Sequence, residues 1–144
     1  LSLNNISIAR GKKNLCQNLH IELKPGDFCA VLGANGSGKS TLLQTMCGQL
    51  QPAVGDIYLQ NKLLQHFRSR ELAQNVGILF QDSPFHFAQT VYEYCAAARF
   101  PYQSLFHQTD AASANFIHSI LDAFDLIQLA DHNIQQLSGG EQRR

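Results

Sequence analysis

Three features of this sequence predict an α/β fold. An apolar run at residues 28–32 leads straight into a glycine-rich loop, a stretch of good helix formers follows that loop, and two segments with alternating apolar and polar residues precede it. A continuous apolar run suits a strand covered on both faces of a parallel sheet, whereas alternation suits a strand with one wet face. The predicted order is a small antiparallel layer, a strand-loop-helix unit, and then a helical stretch.

The elements follow in chain order. In residues 1–9, Leu1 and Leu3, then Ile6 and Ile8 after a break at Asn4-Asn5, mark the first half-buried strand, and Gly11-Lys12-Lys13-Asn14 reads as a turn. Leu19, Ile21 and Leu23 share one face of a second strand, which ends at the turn signal Lys24-Pro25-Gly26-Asp27. Residues 28–32 form the predicted buried strand, and residues 40–50 the helix after the loop, closed by Gly48 and Pro52. A short strand is expected at 56–59 with a turn near Asn61-Lys62, a helix at 69–74, and an apolar strand at 76–80 with Gln81 at its end. Residues 90–99 and 111–124 read as helical, the latter from Ile117, Ile120, Leu121 and Phe124 at spacings of three and four.

Composition narrows the function classes. The 144 residues, 44% hydrophobic and 15% charged, suffice for one ordinary core. Eleven basic residues balance eleven acidic ones, so no basic field exists to hold a polyanion and nucleic-acid binding is not expected. No apolar run approaches a membrane span, and no signal-peptide pattern opens the chain, which is expected to be soluble and not exported. Cys16, Cys29, Cys47 and Cys95 form no CxxC and lie in apolar stretches, so they are expected to be buried thiols; the six scattered histidines suggest no metal site.

The chemistry lies in Gly33-Ala34-Asn35-Gly36-Ser37-Gly38-Lys39-Ser40, which matches G-x-x-x-x-G-K-S/T at every fixed position between the expected strand and helix. Glycines let the backbone wrap a phosphate, successive N–H groups form an anion nest, and the following helix presents its positive end. Lys39 is expected between the β- and γ-phosphates of ATP, Ser40 on Mg²⁺, and Thr41 beside the α-phosphate.

Leu137-Ser138-Gly139-Gly140-Glu141-Gln142 resembles the LSGGQ signature of ABC ATPases, and Gln81 stands where their Q-loop glutamine would. The resemblance covers the whole chain. It implies an α/β P-loop NTPase with an N-terminal antiparallel β layer and a helical subdomain, truncated before Walker B. On that basis residues 1–144 are a partial ABC ATPase domain: 1–81 the P-loop core and β layer, 82–137 the helical subdomain, and 138–144 the start of the signature helix. The resemblance also implies a head-to-tail pair with a second ABC subunit, in which Ser138, Gly139, Gly140 and Glu141 meet the nucleotide held by the partner. Lys39 and Gln81 would then be the catalytic positions, with Ser40 and Gln81 on Mg²⁺. From the residues alone, Ser138 and Glu141 also read as a capping box.

The short interval between the two glycine motifs is unlike the coiled-coil insertions of repair and chromosome-organising members. Residues 70–73, 81–91 and 99–102 resemble importer subunits of the iron-siderophore, haem and cobalamin group, with Ala98 in place of a usual glycine. The implied protein is an energy-coupling subunit on the cytoplasmic face of the cell membrane, bound to a separate permease through a coupling helix. The competing readings are a soluble ABC ATPase of translation or repair and a catalytically dead nucleotide-binding fragment. Phe85, Phe87, Tyr92 and Tyr94 form either a docking surface for that helix or core packing. Arg10 stands where the family offers an adenine-stacking ring, and a guanidinium plane can stack on a base as well. Lacking a Walker B strand and its glutamate, the segment by itself is expected to hydrolyse ATP poorly or not at all.

Overall fold

The computed structural model describes residues 1–11, 13–80, 87–103 and 111–144. They form two compact units, Leu1–Ile78 and Leu79–Arg144.

The first unit is built on a four-stranded antiparallel sheet in the order β2-β1-β3-β4. β1 (Ser2–Arg10) pairs with β2 (Lys13–Glu22) and with β3 (Val54–Leu59), and β3 turns back into the short β4 (Lys62–Leu63). The break at Asn4-Asn5 is a bulge: Asn5 adopts φ 55°, a left-handed conformation asparagine tolerates better than most side chains. This resets the alternation, so that Leu3, Ile6 and Ile8 all reach the core. Leu19, Ile21 and Leu23 pack against the same cluster, as their shared face requires, together with Met46 and Leu42 of α1 (Lys39–Met46). The Lys24-Pro25-Gly26-Asp27 turn closes on itself, with the Asp27 N–H donating to Lys24 O at 3.1 Å and the Lys24 N–H donating to Asp27 Oδ2 at 2.7 Å.

Two predicted strands are absent as strands. Residues 28–32 and 76–80 lie in no ladder, and Phe28 and Leu79 are 99% and 96% exposed. Apolar character alone does not make a strand, because a central strand needs hydrogen-bonded neighbours on its edges, and no described strand runs beside either segment. The same exposure corrects the expectation for Cys29, whose thiol is exposed. Cys16, Cys47 and Cys95 are half-buried, and burial raises the pKa of the Cys47 and Cys95 thiols, which suits unreactive packing residues.

α2 (Ser69–Asn75) is tied to the sheet by an ion pair, with Lys62 Nζ donating to Glu71 Oε1 at 2.7 Å and Oε2 at 2.9 Å. The Lys62 side-chain hydrogen bond is the main reason the Glu71 carboxyl titrates below its usual 4.5. A carboxylate depressed in the folded state stabilises the fold above its unfolded pKa, and that contribution is lost as pH falls below about 4.5. Glu71→Gln is therefore expected to reduce the drop in urea midpoint between pH 7 and pH 3, and an unchanged drop would show the pair to be energetically silent.

The second unit packs α3 (Val91–Ala98) against α4 (Ala111–Ala123) around Val91, Ile117, Leu121 and Leu126. α3 starts at Thr90 because Thr90 Oγ1 accepts the Glu93 N–H at 3.1 Å while Glu93 Oε2 accepts the Thr90 N–H at 2.8 Å. Two further N–H groups of its first turn are taken up by the following chain, Val91 donating to His132 O and Tyr92 to Ala130 O. The apolar stripe of α4 divides: Ile117 and Leu121 enter the core, while Ile120 and Phe124 line an open apolar groove with Tyr94 and Leu137. Tyr92 joins the core cluster and stacks at a tilt on His118, whereas Phe87 and Tyr94 are exposed. Phe85 lies outside the described residues. No helix among the described residues is long and apolar enough to cross a membrane.

Candidate functional site: a phosphate-binding loop at a helix start

The phosphate loop gets its shape from glycine. Gly36 and Gly38 take φ 74° and 102°, and left-handed residues in such a loop are what align successive N–H groups on an anion. Ser37 donates its N–H back to Ala34 O at 3.2 Å, closing the loop into a tight turn. A Cβ at Gly33 would lie 2.9 Å from Ser37 Oγ, so a side chain there would require the Ser37 hydroxyl to turn away.

Helix α1 begins at Lys39, with Leu42 N–H donating to Gly38 O at 2.8 Å. The N–H groups of Lys39, Ser40 and Thr41 therefore lack intrahelical acceptors, and the first turn has no acidic side chain to take them. Lys39 folds over the loop, its ammonium donating to Gly33 O at 2.8 Å and Ala34 O at 2.9 Å. Free N–H groups, a helix dipole and a single cation over a concave backbone are the donor set of a polyphosphate site. The residues fit a nucleotide phosphate chain.

The sheet also contributes to this site through a residue the sequence did not single out. Between Ile8↔Cys16 and Ala9↔Asn14 the register of β1 and β2 shifts by one, leaving Leu15 as the extra residue. Its side chain lies 3.0–3.3 Å from where a Gly38 Cβ would stand, so the end of the β1–β2 hairpin rests on the start of α1. The sequence signal for Leu15 is faint: an apolar residue just past a turn. Arg10, exposed at the end of β1, has the strand parity of Ile6 and Ile8 and pairs across to Lys13.

The second glycine motif lies in the other unit. Ser138 caps α5 (Gly139–Arg143), with the Glu141 N–H donating to Ser138 Oγ at 3.3 Å. In return Glu141 Oε2 accepts from the Ser138 hydroxyl at 2.6 Å and the Ser138 N–H at 2.8 Å. These two bonds, the hydroxyl's first, draw the Glu141 carboxyl below its usual 4.5. The capping box is thus realised, with Gly139 and Gly140 exposed in the first turn. Gln142, which the sequence reading did not mark as a working residue, secures the loop by donating from Nε2 to Ile134 O at 2.9 Å and Leu137 O at 3.2 Å.

Residues 33–41 lie together in the first unit, with Arg10 at the end of β1 in the same unit, while Ser138 to Glu141 belong to the second unit. Gln81 lies outside the described residues. No group of three or more His, Cys, Asp or Glu among the described residues is placed to hold a metal by itself.

Comparison with known proteins agrees with this geometry. The ABC transporter family matches residues 16–144. The chain is 34% identical over 139 residues to the ferric enterobactin transport ATP-binding protein FepC of Escherichia coli (strain K12), covering 96% of this chain and 51% of that one. It is 36% identical over 144 residues to the hemin import ATP-binding protein HmuV of Pseudomonas fluorescens (strain Pf0-1), covering 100% and 55%. The structure of cbiO1 from Clostridium perfringens, part of the ABC transporter complex cbiONQ, superposes with a TM-score of 0.79 at 25% identity, over 99% of this chain and 57% of that one. The chain thus spans about half the length of the curated relatives it matches. The phosphate loop at the start of α1, the capped glycine motif at α5 and the family match across residues 16–144 make this chain a member of the ABC transporter family, within its ATP-binding domain.

Proposed function

We propose that this chain is the front part of the energy-coupling subunit of an ABC importer for iron chelates or haem. The observation that carries the reading is Lys39 folded over a glycine loop whose helix has a first turn free of acidic side chains. Residues 33–38 wrap the phosphates of ATP with backbone N–H groups. Lys39 exchanges its two carbonyl acceptors for β- and γ-phosphate oxygens, and Thr41 meets the α-phosphate. The Ser40 hydroxyl and Gln81 would hold a Mg²⁺ ion bound with the nucleotide, which would supply positive charge against the phosphates. Arg10 offers a guanidinium plane to the base.

A second ABC subunit packs head to tail so that Ser138, Gly139 and Gly140 of each face the other's γ-phosphate, with Glu141 holding that loop in its capped form. Closure of this pair on ATP and its opening on hydrolysis then drive a separate permease, docked from the cytoplasmic side through its coupling helix. The relatives' transport of ferric enterobactin and hemin supports this substrate group. Reconstitution of the full-length protein with the membrane protein it co-purifies with is expected to give ATP-dependent uptake of a ferric chelate or haem into vesicles, abolished by Lys39→Ala. ATP hydrolysis with no membrane partner would favour a soluble translation or repair ATPase instead.

A further inference from the structure

α5 has its own shape but no buried side chain to hold it in place. It spans five residues, Gly139–Arg143, too few for a helix to persist without tertiary support. The capping box fixes the form of the glycine motif, because Ser138 and Glu141 satisfy one another across three residues. Bonds that close inside the motif leave its placement open.

Gln142 supplies the placement. Its amide donates from Nε2 to Ile134 O at 2.9 Å and to Leu137 O at 3.2 Å, and its backbone N–H donates to Ser138 O at 2.9 Å. Both amide hydrogens are thereby committed, and the acceptors span the helical turn at Ile134–Gln136 and the chain leading into the motif. That turn is in turn sewn to the entry of α3. Ile134 N–H donates to Gln89 O at 3.0 Å, Val91 N–H donates to His132 O at 3.1 Å, and Thr90 and Asn133 pair across an antiparallel bridge. Ile134 is buried, so one carbonyl that Gln142 grips belongs to a residue fixed in the core.

We infer that Gln142 is a positioning residue: by tying α5 to the Ile134–Leu137 turn, it sets where Ser138 and Gly140 stand for the γ-phosphate of the partner's nucleotide. The inference rests on the head-to-tail pairing proposed above. Misplacing a group that acts on a reacting centre by about 1 Å can cost a hundredfold in rate. Gln142 and the phosphate loop lie in different units, so losing the amide leaves the loop of the same chain intact and shows in turnover instead of in that loop's affinity.

The test uses the full-length protein with Mg²⁺. Steady-state ATP turnover is read beside the affinity of a fluorescent ATP analogue, the latter at protein concentrations low enough to keep subunits apart. Gln142→Met keeps the length of the side chain and removes both donors. It is expected to lower kcat by about tenfold, the worth of two hydrogen bonds, while moving analogue affinity by less than about threefold. Gln142→Glu keeps the shape but turns oxygens on two carbonyls, and is expected to fall at least as far. Gln142→Lys restores a donor of similar reach and is expected to recover turnover to within about threefold of the unaltered protein. Loss of packing alone would reverse that order, since methionine fills a half-buried gap better than an ammonium does.

Turnover in Gln142→Met within about threefold of the unaltered protein, analogue affinity falling in step with kcat, or a lysine variant no faster than the methionine one would each overturn the inference. Should the methionine variant fail to fold, equal turnover in the lysine and glutamate variants overturns it in the same way. Ser138→Ala separates the two readings. Unchanged turnover there faults the role of the glycine motif and this inference with it, whereas a fall there beside an unaffected Gln142→Met faults the positioning role alone.

Discussion

Gly55→Ala is expected to cost the first unit about 3 kcal/mol or more, a large fraction of the stability of an ordinary domain. Gly55 sits in β3 at φ 91°, and a Cβ there would lie 2.6 Å from the carbonyl carbon of Asn5 and closer still to Asn4 O and Asn5 O. These are backbone atoms of the bulge that resets β1, so they cannot swing aside as a flexible side chain could. Left-handed strain adds about 1–2 kcal/mol for a residue with a Cβ. To relax, β3 would have to withdraw from β1 between Asn4↔Asp56 and Ser7↔Val54, or the bulge would have to flatten and turn Ile6 and Ile8 out of the core. Gly11→Ala provides the control: its φ is also positive, at 60°, but no atom lies within 4 Å, so only the conformational cost applies. Chemical denaturation of the two variants is expected to separate them by about 2 kcal/mol, the packing contribution alone. Equal midpoints would show that the sheet can open at Gly55 without penalty.

Lys39→Ala is expected to weaken nucleoside triphosphate binding by about ten- to hundredfold, the worth of charge-assisted hydrogen bonds at 1.5–3 kcal/mol. Fold stability should barely change, since the ammonium bonds only to exposed loop carbonyls at 2.8 and 2.9 Å. The helix dipole and the N–H groups of Lys39, Ser40 and Thr41 survive the substitution, so residual binding should persist at higher nucleotide concentration. Lys39→Arg should fail to restore affinity, because a planar fork cannot replace a compact ammonium in a loop this tightly wound. Calorimetric titration with the Mg²⁺ complex of ATP checks both variants. An unchanged dissociation constant in Lys39→Ala would remove the lysine from the phosphate site.

Local chemistry made much of this molecule legible without coordinates. The phosphate loop is a run of residues whose conformations are set within a few positions of one another: Gly36 and Gly38 go left-handed, and Lys39 opens the helix. The capping box at Ser138 and Glu141 is equally local, closing over three residues. Alternation located β1 and β2, and the Asn4-Asn5 break in the pattern is the bulge itself. Helical spacing in residues 111–124 located α4, since a helix forms its own hydrogen bonds and needs a neighbour only for its apolar face.

What escaped the sequence was set by partners distant in the chain. Residues 28–32 and 76–80 have the composition of central strands but form none, and Phe28, Leu32, Leu79 and Phe80 stand exposed, because a strand is a property of a hydrogen-bonded pair and neither segment finds a mate among the described residues. Which apolar residues of α4 are covered depended on where α3 lies, so Ile117 and Leu121 are buried while Ile120 and Phe124 face the groove. The contact of Leu15 with Gly38 arose from a one-residue register shift between β1 and β2 that no local pattern announces. The sequence by itself determined the phosphate loop, the helix caps and the antiparallel layer, because each is closed by bonds between residues near in the chain or by a strict alternation. Only the tertiary structure decided which apolar runs become strands, which faces are covered and that the hairpin end meets the phosphate loop, since those outcomes rest on long-range pairing.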